Sequence, residues 1–171
     1  MTGREYLSLP LSKQYGAGTV IVRAVLAFAL AVGLCTAALA NDRPEQIVAV
    51  EPLYGAFVVP VVLNNVLTAK FIVDSGAADV SITEDMVSAL MKSGTMTSAD
   101  LLGSKTYMLA DGTMFKGKIY RMASVRIGGV VMENVTVRIA AGSSSLLLGQ
   151  SFLRRLKSWS LDNDRQVMII N

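Results

Sequence analysis

AFVVPVVLNNVLTAKFIVDSGA, residues 56–77, holds two apolar arms separated by Asn64-Asn65 and ends on one carboxylate in a glycine turn. β-branched residues at this density on either side of a turn pair predict a β-hairpin. Pro60 lies inside the first arm and cannot donate to a sheet ladder, so that arm is expected at an edge or bulged there. The return arm closes Phe71-Ile72-Val73-Asp74-Ser75-Gly76-Ala77. A carboxylate is costly to bury alone, so Asp74 at the end of an apolar strand is either exposed in an ordinary turn or put to chemical use.

Beyond this stretch the pattern stays β with brief helical interruptions. A short strand around Asp79 to Ile82 leads to Thr83, an N-cap, with Glu84 and Asp85 in the first helical turn. Met86, Val87, Leu90 and Met91 fall at helical spacing and Gly94 stops the helix; packing explains these methionines. Thr106 to Met122 reads as two arms joined through Ala110-Asp111-Gly112-Thr113, and Asp-Gly between alternating arms is a strong hairpin signal. A further hairpin turns at Gly128-Gly129, Glu133-Asn134 marks a turn or bulge, and Val135 to Ala140 is a strand. Gly142-Ser143-Ser144-Ser145 reads as a loop, Gln150 to Lys157 as a short helix, and Trp159 to Leu161 pairs with Val167 to Ile170. The expectation is an all-β barrel or sandwich with one or two short helices.

Composition narrows the chemistry. The 171 residues contain no histidine, which excludes Ser-His and Cys-His nucleophilic systems, imidazole bases and histidine-ligated zinc. The one cysteine, Cys35, lies in an apolar leader, so disulfides, thiol catalysis and a metal centre in the body are not expected. Arg4, Lys13 and Arg23 against Glu5 carry +2 of the formal +3, leaving a body that is nearly neutral. Arg154-Arg155-Lys157 reads as a solvated face, and no nucleic-acid partner is expected. No Ser-x-x-Lys occurs, and Gly142 to Gly149 lacks the spacing and the lysine of a phosphate loop.

Residues 24–40 form an uninterrupted run of apolar and small residues, flanked by Arg23 and by Asn41-Asp42-Arg43-Pro44. Residues 1–40 are therefore expected to be a signal peptide or membrane anchor, and both remain open. Ala38-Leu39-Ala40 fits cleavage, whereas the long lead before the apolar run fits an anchor. The positive flank predicts an exported body. Leu34 before Cys35 argues against lipid attachment. Residues 41–52 read as a polar tether and 53–171 as the folded domain.

Four pieces taken in order give a more specific signal than the Asp-Ser-Gly tripeptide. YGAFVVPVVLNNVLTAKFIVDSGA (54–77), YMLADGT (107–113), VRIGGVVMENVTV (125–137) and LLLGQSFLRRL (146–156) together resemble the retroviral-type, or retropepsin-like, aspartic proteases. The likeness is to the bacterial single-domain members with an N-terminal membrane segment, and it runs from about Leu53 to the end. It implies a closed β barrel with a flap hairpin. It implies Asp74 as the catalytic aspartate, Ser75 as its cross-dimer hydroxyl, and Gly76 and Ala77 as the rest of the loop. Ala110, Asp111 and Gly112 would form the flap over substrate, with Asp111 as a plain turn residue the equal alternative. Leu147-Leu148-Gly149 would pass beneath the catalytic loop. Serine at 75, where threonine is commoner, keeps the hydroxyl.

Two neighbouring carboxyls sharing one proton can activate water and protonate the carbonyl it attacks. The chain has no second Asp-(Ser/Thr)-Gly, so this chemistry requires a two-fold homodimer acting on a peptide or protein, with no cofactor or metal. The alternative is a catalytically inactive module of the same fold that dimerises or binds peptides.

Overall fold

A computed structural model describes residues 44–140 and 146–171. The leader and the Gly142-Ser143-Ser144-Ser145 stretch lie outside these residues. Among the described residues, no helix is long and apolar enough to cross a membrane.

The strands are β1 (Gln46–Ala49), β2 (Glu51–Leu53), β3 (Ala56–Leu63), β4 (Leu67–Val73), β5 (Val80–Ile82), β6 (Leu101–Met108), β7 (Met114–Ile127), β8 (Val130–Ile139), β9 (Leu147–Leu148), β10 (Trp159–Asp162) and β11 (Val167–Ile170). Two helices, α1 (Glu84–Lys92) and α2 (Gln150–Leu153), interrupt them. One sheet runs β2-β3-β4-β9-β5-β8-β7-β6, and a further pairing of β3 with β7 closes it on itself. The result is a barrel from which the β6–β7 hairpin extends. A separate sheet has the order β1-β11-β10.

The hairpin of residues 56–73 forms as expected, in register from Val58↔Ile72 to Leu63↔Leu67. Pro60 lies where the other side of β3 is open, after its pairing with β2 ends at Val58 and before that with β7 begins at Val62. A residue without an N–H fits such a gap. Asn64 and Asn65 adopt left-handed φ of 48° and 59°, which asparagine tolerates better than most residues.

Three expectations need correction. The stretch read as a tether enters the fold: Gln46–Ala49 pairs along β11 and Glu51–Leu53 along the start of β3. The physical cause is that the C-terminal strand offers an edge to which a short apolar segment can add. Next, of the two readings of Glu133-Asn134 the turn falls and the bulge stands as a local irregularity, since the strand is not broken but Asn134 is left-handed. The β7–β8 register continues from Met122↔Val135 to Ser124↔Glu133. What changes is the buried face: inward positions step from Met122 to Val125 on β7 and from Met132 to Val135 on β8, with Asn134 at φ 53°. Both strands bend there so that each end meets the core. Finally, the last helix is only Gln150–Leu153, ending in turns before β10.

The core is built by Val59, Leu63, Phe71, Ile82, Met122, Val125, Ile127, Val137, Leu148 and Phe152, all fully buried. Helix α1 adds Met86, Val87 and Leu90, while Met91 turns to solvent. Thr83 caps the helix by accepting from the Met86 amide at 3.3 Å, and Glu84 and Asp85 face the helix dipole. Asn64 is a buried polar link between three segments. Its side chain donates to the Thr95 carbonyl (2.8 Å) and accepts from the Ser124 amide (3.0 Å), while its own amide donates to the Ser124 carbonyl (2.9 Å).

Candidate active site

The loop of residues 74–79 joins β4 to β5, and β9 fits between these strands, parallel to β4 and antiparallel to β5. Its first residue is tied to the neighbour by a bond from the Asp74 amide to the Leu148 carbonyl, 3.2 Å. The carboxylate of Asp74 then folds back over its own loop. Its Oδ1 accepts from the amides of Gly76 (2.8 Å) and Ala77 (3.1 Å), and Ala77 also donates to the Asp74 carbonyl at 3.3 Å. Asp74 is half-buried, while Ser75 and Gly76 are exposed. The geometry fixes one carboxylate oxygen by backbone donors and leaves the Ser75-Gly76 surface of the loop exposed among the described residues.

Leu147, Leu148 and Gly149 lie against this loop. Gly149 has an ordinary φ of −97°, so conformation does not demand glycine there. Space does: a Cβ would meet the Asp79 backbone, with its carbonyl carbon at 2.7 Å, and the Ala77 carbonyl oxygen at 2.8 Å. The close approach lets the start of α2 close the loop, since Gln150 and Ser151 donate backbone bonds to the Ala77 and Ala78 carbonyls at 2.8 and 3.0 Å. The Gln150 side chain donates to the Ser75 carbonyl at 2.7 Å. Buried Ser151 donates to the Thr136 carbonyl (2.7 Å) and accepts from the Val80 amide (2.9 Å), joining α2, β8 and β5.

Ala110, Asp111 and Gly112 occupy the tip of the β6–β7 hairpin. Gly112 takes a left-handed φ of 82°, and its amide donates to the Leu109 carbonyl at 2.9 Å. Oδ1 of Asp111 accepts from the Thr113 hydroxyl (2.7 Å) and amide (2.9 Å), and these bonds, the hydroxyl's first, hold the Asp111 carboxyl below its ordinary range. That oxygen is engaged in building the turn. Among the described residues, no hydrogen bond joins the tip to the Asp74 loop.

A second carboxylate, not singled out by the sequence, stands at the other end of the loop. Asp79 is 6% exposed; its Oδ2 accepts from the Tyr107 hydroxyl at 2.7 Å and from Lys105 Nζ at 3.2 Å. Lys105 and Arg138 lie 5.2 and 5.1 Å from the Tyr107 ring centroid. Burial above all, then the hydrogen bond to Asp79 and its charge, push the Tyr107 hydroxyl up, against the pull of Arg138, so it remains a donor. Ser81 Oγ and Arg138 Nη1 are buried here without a hydrogen-bond partner among the described residues. The available signal was Ala78-Asp79-Val80, a charge entering a wholly buried strand; its partner is 28 residues away. No three carboxylate or thiol side chains among the described residues cluster as metal ligands.

A barrel closed over an Asp-Ser-Gly loop, with a glycine strand pressed beneath and a hairpin extending beyond, is the architecture of a single-lobed aspartic protease. The profile of the family described as "gag-polyprotein putative aspartyl protease" matches residues 59–155, and the chain belongs to this retropepsin-like family. The crystal structure of a retropepsin-like aspartic protease from Rickettsia conorii aligns with a TM-score of 0.53 and 28% identity, covering 74% of this chain and 89% of that one. An uncharacterized protein of Rickettsia prowazekii is 31% identical over 118 residues, 68% of this chain. The chain spans about half the length of that curated relative, 47%.

Proposed function

We propose that the chain is a homodimeric aspartic endopeptidase whose site is completed by Asp74 of a second copy. The observation that carries this reading is the carboxylate itself, held through Oδ1 by two backbone amides in an exposed loop that can provide only half of a dyad. Two such carboxyls at close range hold one proton between them, because like charges in contact cannot both stay ionised. The ionised one takes a proton from water as the oxygen attacks the peptide carbonyl, and the protonated one gives its proton to the carbonyl oxygen. Collapse of the tetrahedral adduct breaks the C–N bond while a carboxyl returns a proton to the departing amine.

Ser75 would contribute its hydroxyl across the two-fold axis, and Gly76 and Ala77 keep the Asp74 oxygen oriented. The substrate would lie extended beneath Ala110, Asp111 and Gly112, bonded through its backbone as an added strand. Residues 1–40 would deliver the domain to the exported side of a membrane, where confinement in two dimensions favours pairing. The test compares the full chain with Asp74→Asn on a mixed peptide library from mildly acid to neutral pH, with mass-spectrometric detection. Wild type is expected to cleave, and the variant to lose at least about 10³-fold. Equal cleavage by both, or none by a confirmed wild-type dimer, overturns the proposal and leaves a peptide-binding or dimerisation module.

A further inference from the structure

We propose that Tyr107 is a positioning residue that couples the stem of the β6–β7 hairpin to the Asp74 loop through Asp79. The consequence for turnover rests on the proteolytic reading above; the mechanical coupling does not.

The loop of residues 74–79 has two ends, held differently. At the entrance, the Asp74 amide is bonded to β9. At the exit, the Val80 amide donates to Ser151 and the Asp79 carboxylate accepts from Tyr107. Tyr107 immediately precedes Met108, the last residue of β6, and the tip follows at once. Two side-chain hydrogen bonds thus link the loop carrying Asp74 to the strand carrying the hairpin tip, and the shorter, from Tyr107 at 2.7 Å, is the buried one. Both partners are buried, Asp79 to 6% and Tyr107 to 8% exposure, so water cannot readily replace either one. Exposed Lys105 is the weaker second partner, at 3.2 Å with half of its side chain in solvent.

The surroundings keep this bond in place. Arg138 and Lys105 both lie against the tyrosine ring, and Lys105 also pairs with the buried Asp79 carboxylate, which offsets part of its desolvation. Burial and Asp79 keep the phenol protonated, so the donor survives across the working range of any aspartic dyad. The tip has its own internal bonds from Thr113 and Leu109, and it therefore moves as a unit on its stem. Displacing the stem at Tyr107 pulls on Asp79, and the strain passes along two to three residues to the Ala77 and Gly76 amides that hold Asp74.

Tyr107→Phe in the full chain removes only the hydroxyl and keeps the ring beside its cations. Amide exchange should accelerate about tenfold at Gly76 and Ala77 and at Leu109 and Gly112, with β10 and β11 unchanged as internal reference. Asp79→Ala should do the same, the double variant should add little to either, and Asp79→Asn, which retains an acceptor for the hydroxyl, should stay near wild type. In turnover, Tyr107→Phe should lower kcat about 10- to 100-fold with KM moved less than about threefold. Exchange unchanged at either end, exchange raised uniformly over the domain, or additive losses in the double variant would each overturn the coupling. If the wild type cleaves nothing, proteolysis fails as a reading while the exchange data still decide the coupling.

Discussion

Replacing Gly149 with alanine tests how tightly the strand beneath the Asp74 loop is fitted. The added Cβ would lie 2.7 Å from the Asp79 carbonyl carbon and 2.8 Å from the Ala77 oxygen, against an ordinary contact of 3.4 Å or more. The loop or the strand must therefore retreat by about 0.7 Å at the least, and backbone atoms on both sides leave no flexible side chain to absorb it. Overpacking of this kind costs about 1–3 kcal/mol. The retreat also stretches the bonds from Gln150 and Ser151 to Ala77 and Ala78, now 2.8 and 3.0 Å. A misplacement of about 1 Å at reacting groups costs about 100-fold in rate, so a loss of tens-fold or more in kcat/KM is expected from a variant that still folds. Denaturant melts give the stability, peptide cleavage gives the rate, and amide exchange at Gln150 and Ser151 reports the loop directly. A folded Gly149→Ala protein with wild-type cleavage and protected Gln150 and Ser151 amides would refute this argument.

Other expectations concern the scaffold and the hairpin. Asn64→Ala removes two side-chain bonds that join Thr95 and Ser124 and places alanine at a left-handed φ of 48°, so a loss of about 2–4 kcal/mol is expected in urea unfolding, with an unchanged m-value. A loss below about 0.5 kcal/mol would contradict the role given to that side chain. At the tip, the folded-state pKa of Asp111 is lowered, so its stabilisation of the turn is present above the ordinary carboxylate value and disappears as pH falls through the lowered one. The Thr113 amide should lose protection in that acid window, and Asp111→Ala should show the loss at every pH. Thr113→Val should abolish most of the shift, since the hydroxyl bond is its first cause.

Where the signal is local, the fold was legible. The Asn64-Asn65 and Asp111-Gly112 turns, the Thr83 cap and the Asp-Ser-Gly loop each announce themselves within a few residues. What was missed depends on distant chain. Nothing in Gln46-Ile47-Val48-Ala49 tells that it will lie against Ile170 to Val167. The bend at Asn134 was visible as a break in alternation, but only a paired strand shows that β7 bends with it. In the site, Asp74 and Gly149 stood out by motif, whereas Asp79 did not, because its partners come from β6. Gln150 was noticed only as a residue that is not lysine, yet its side chain holds the Ser75 carbonyl.

The central claim is that the active site belongs to two chains, and subunit mixing tests it most directly. Wild type and Asp74→Asn are unfolded together at equal amounts, refolded so that pairs form at random, and assayed at fixed total protein. If each site needs Asp74 from both copies, activity falls to about a quarter of the all-wild-type value and follows the square of the wild-type fraction. Activity of about one half, linear in that fraction, would mean that each chain works alone and would contradict the account.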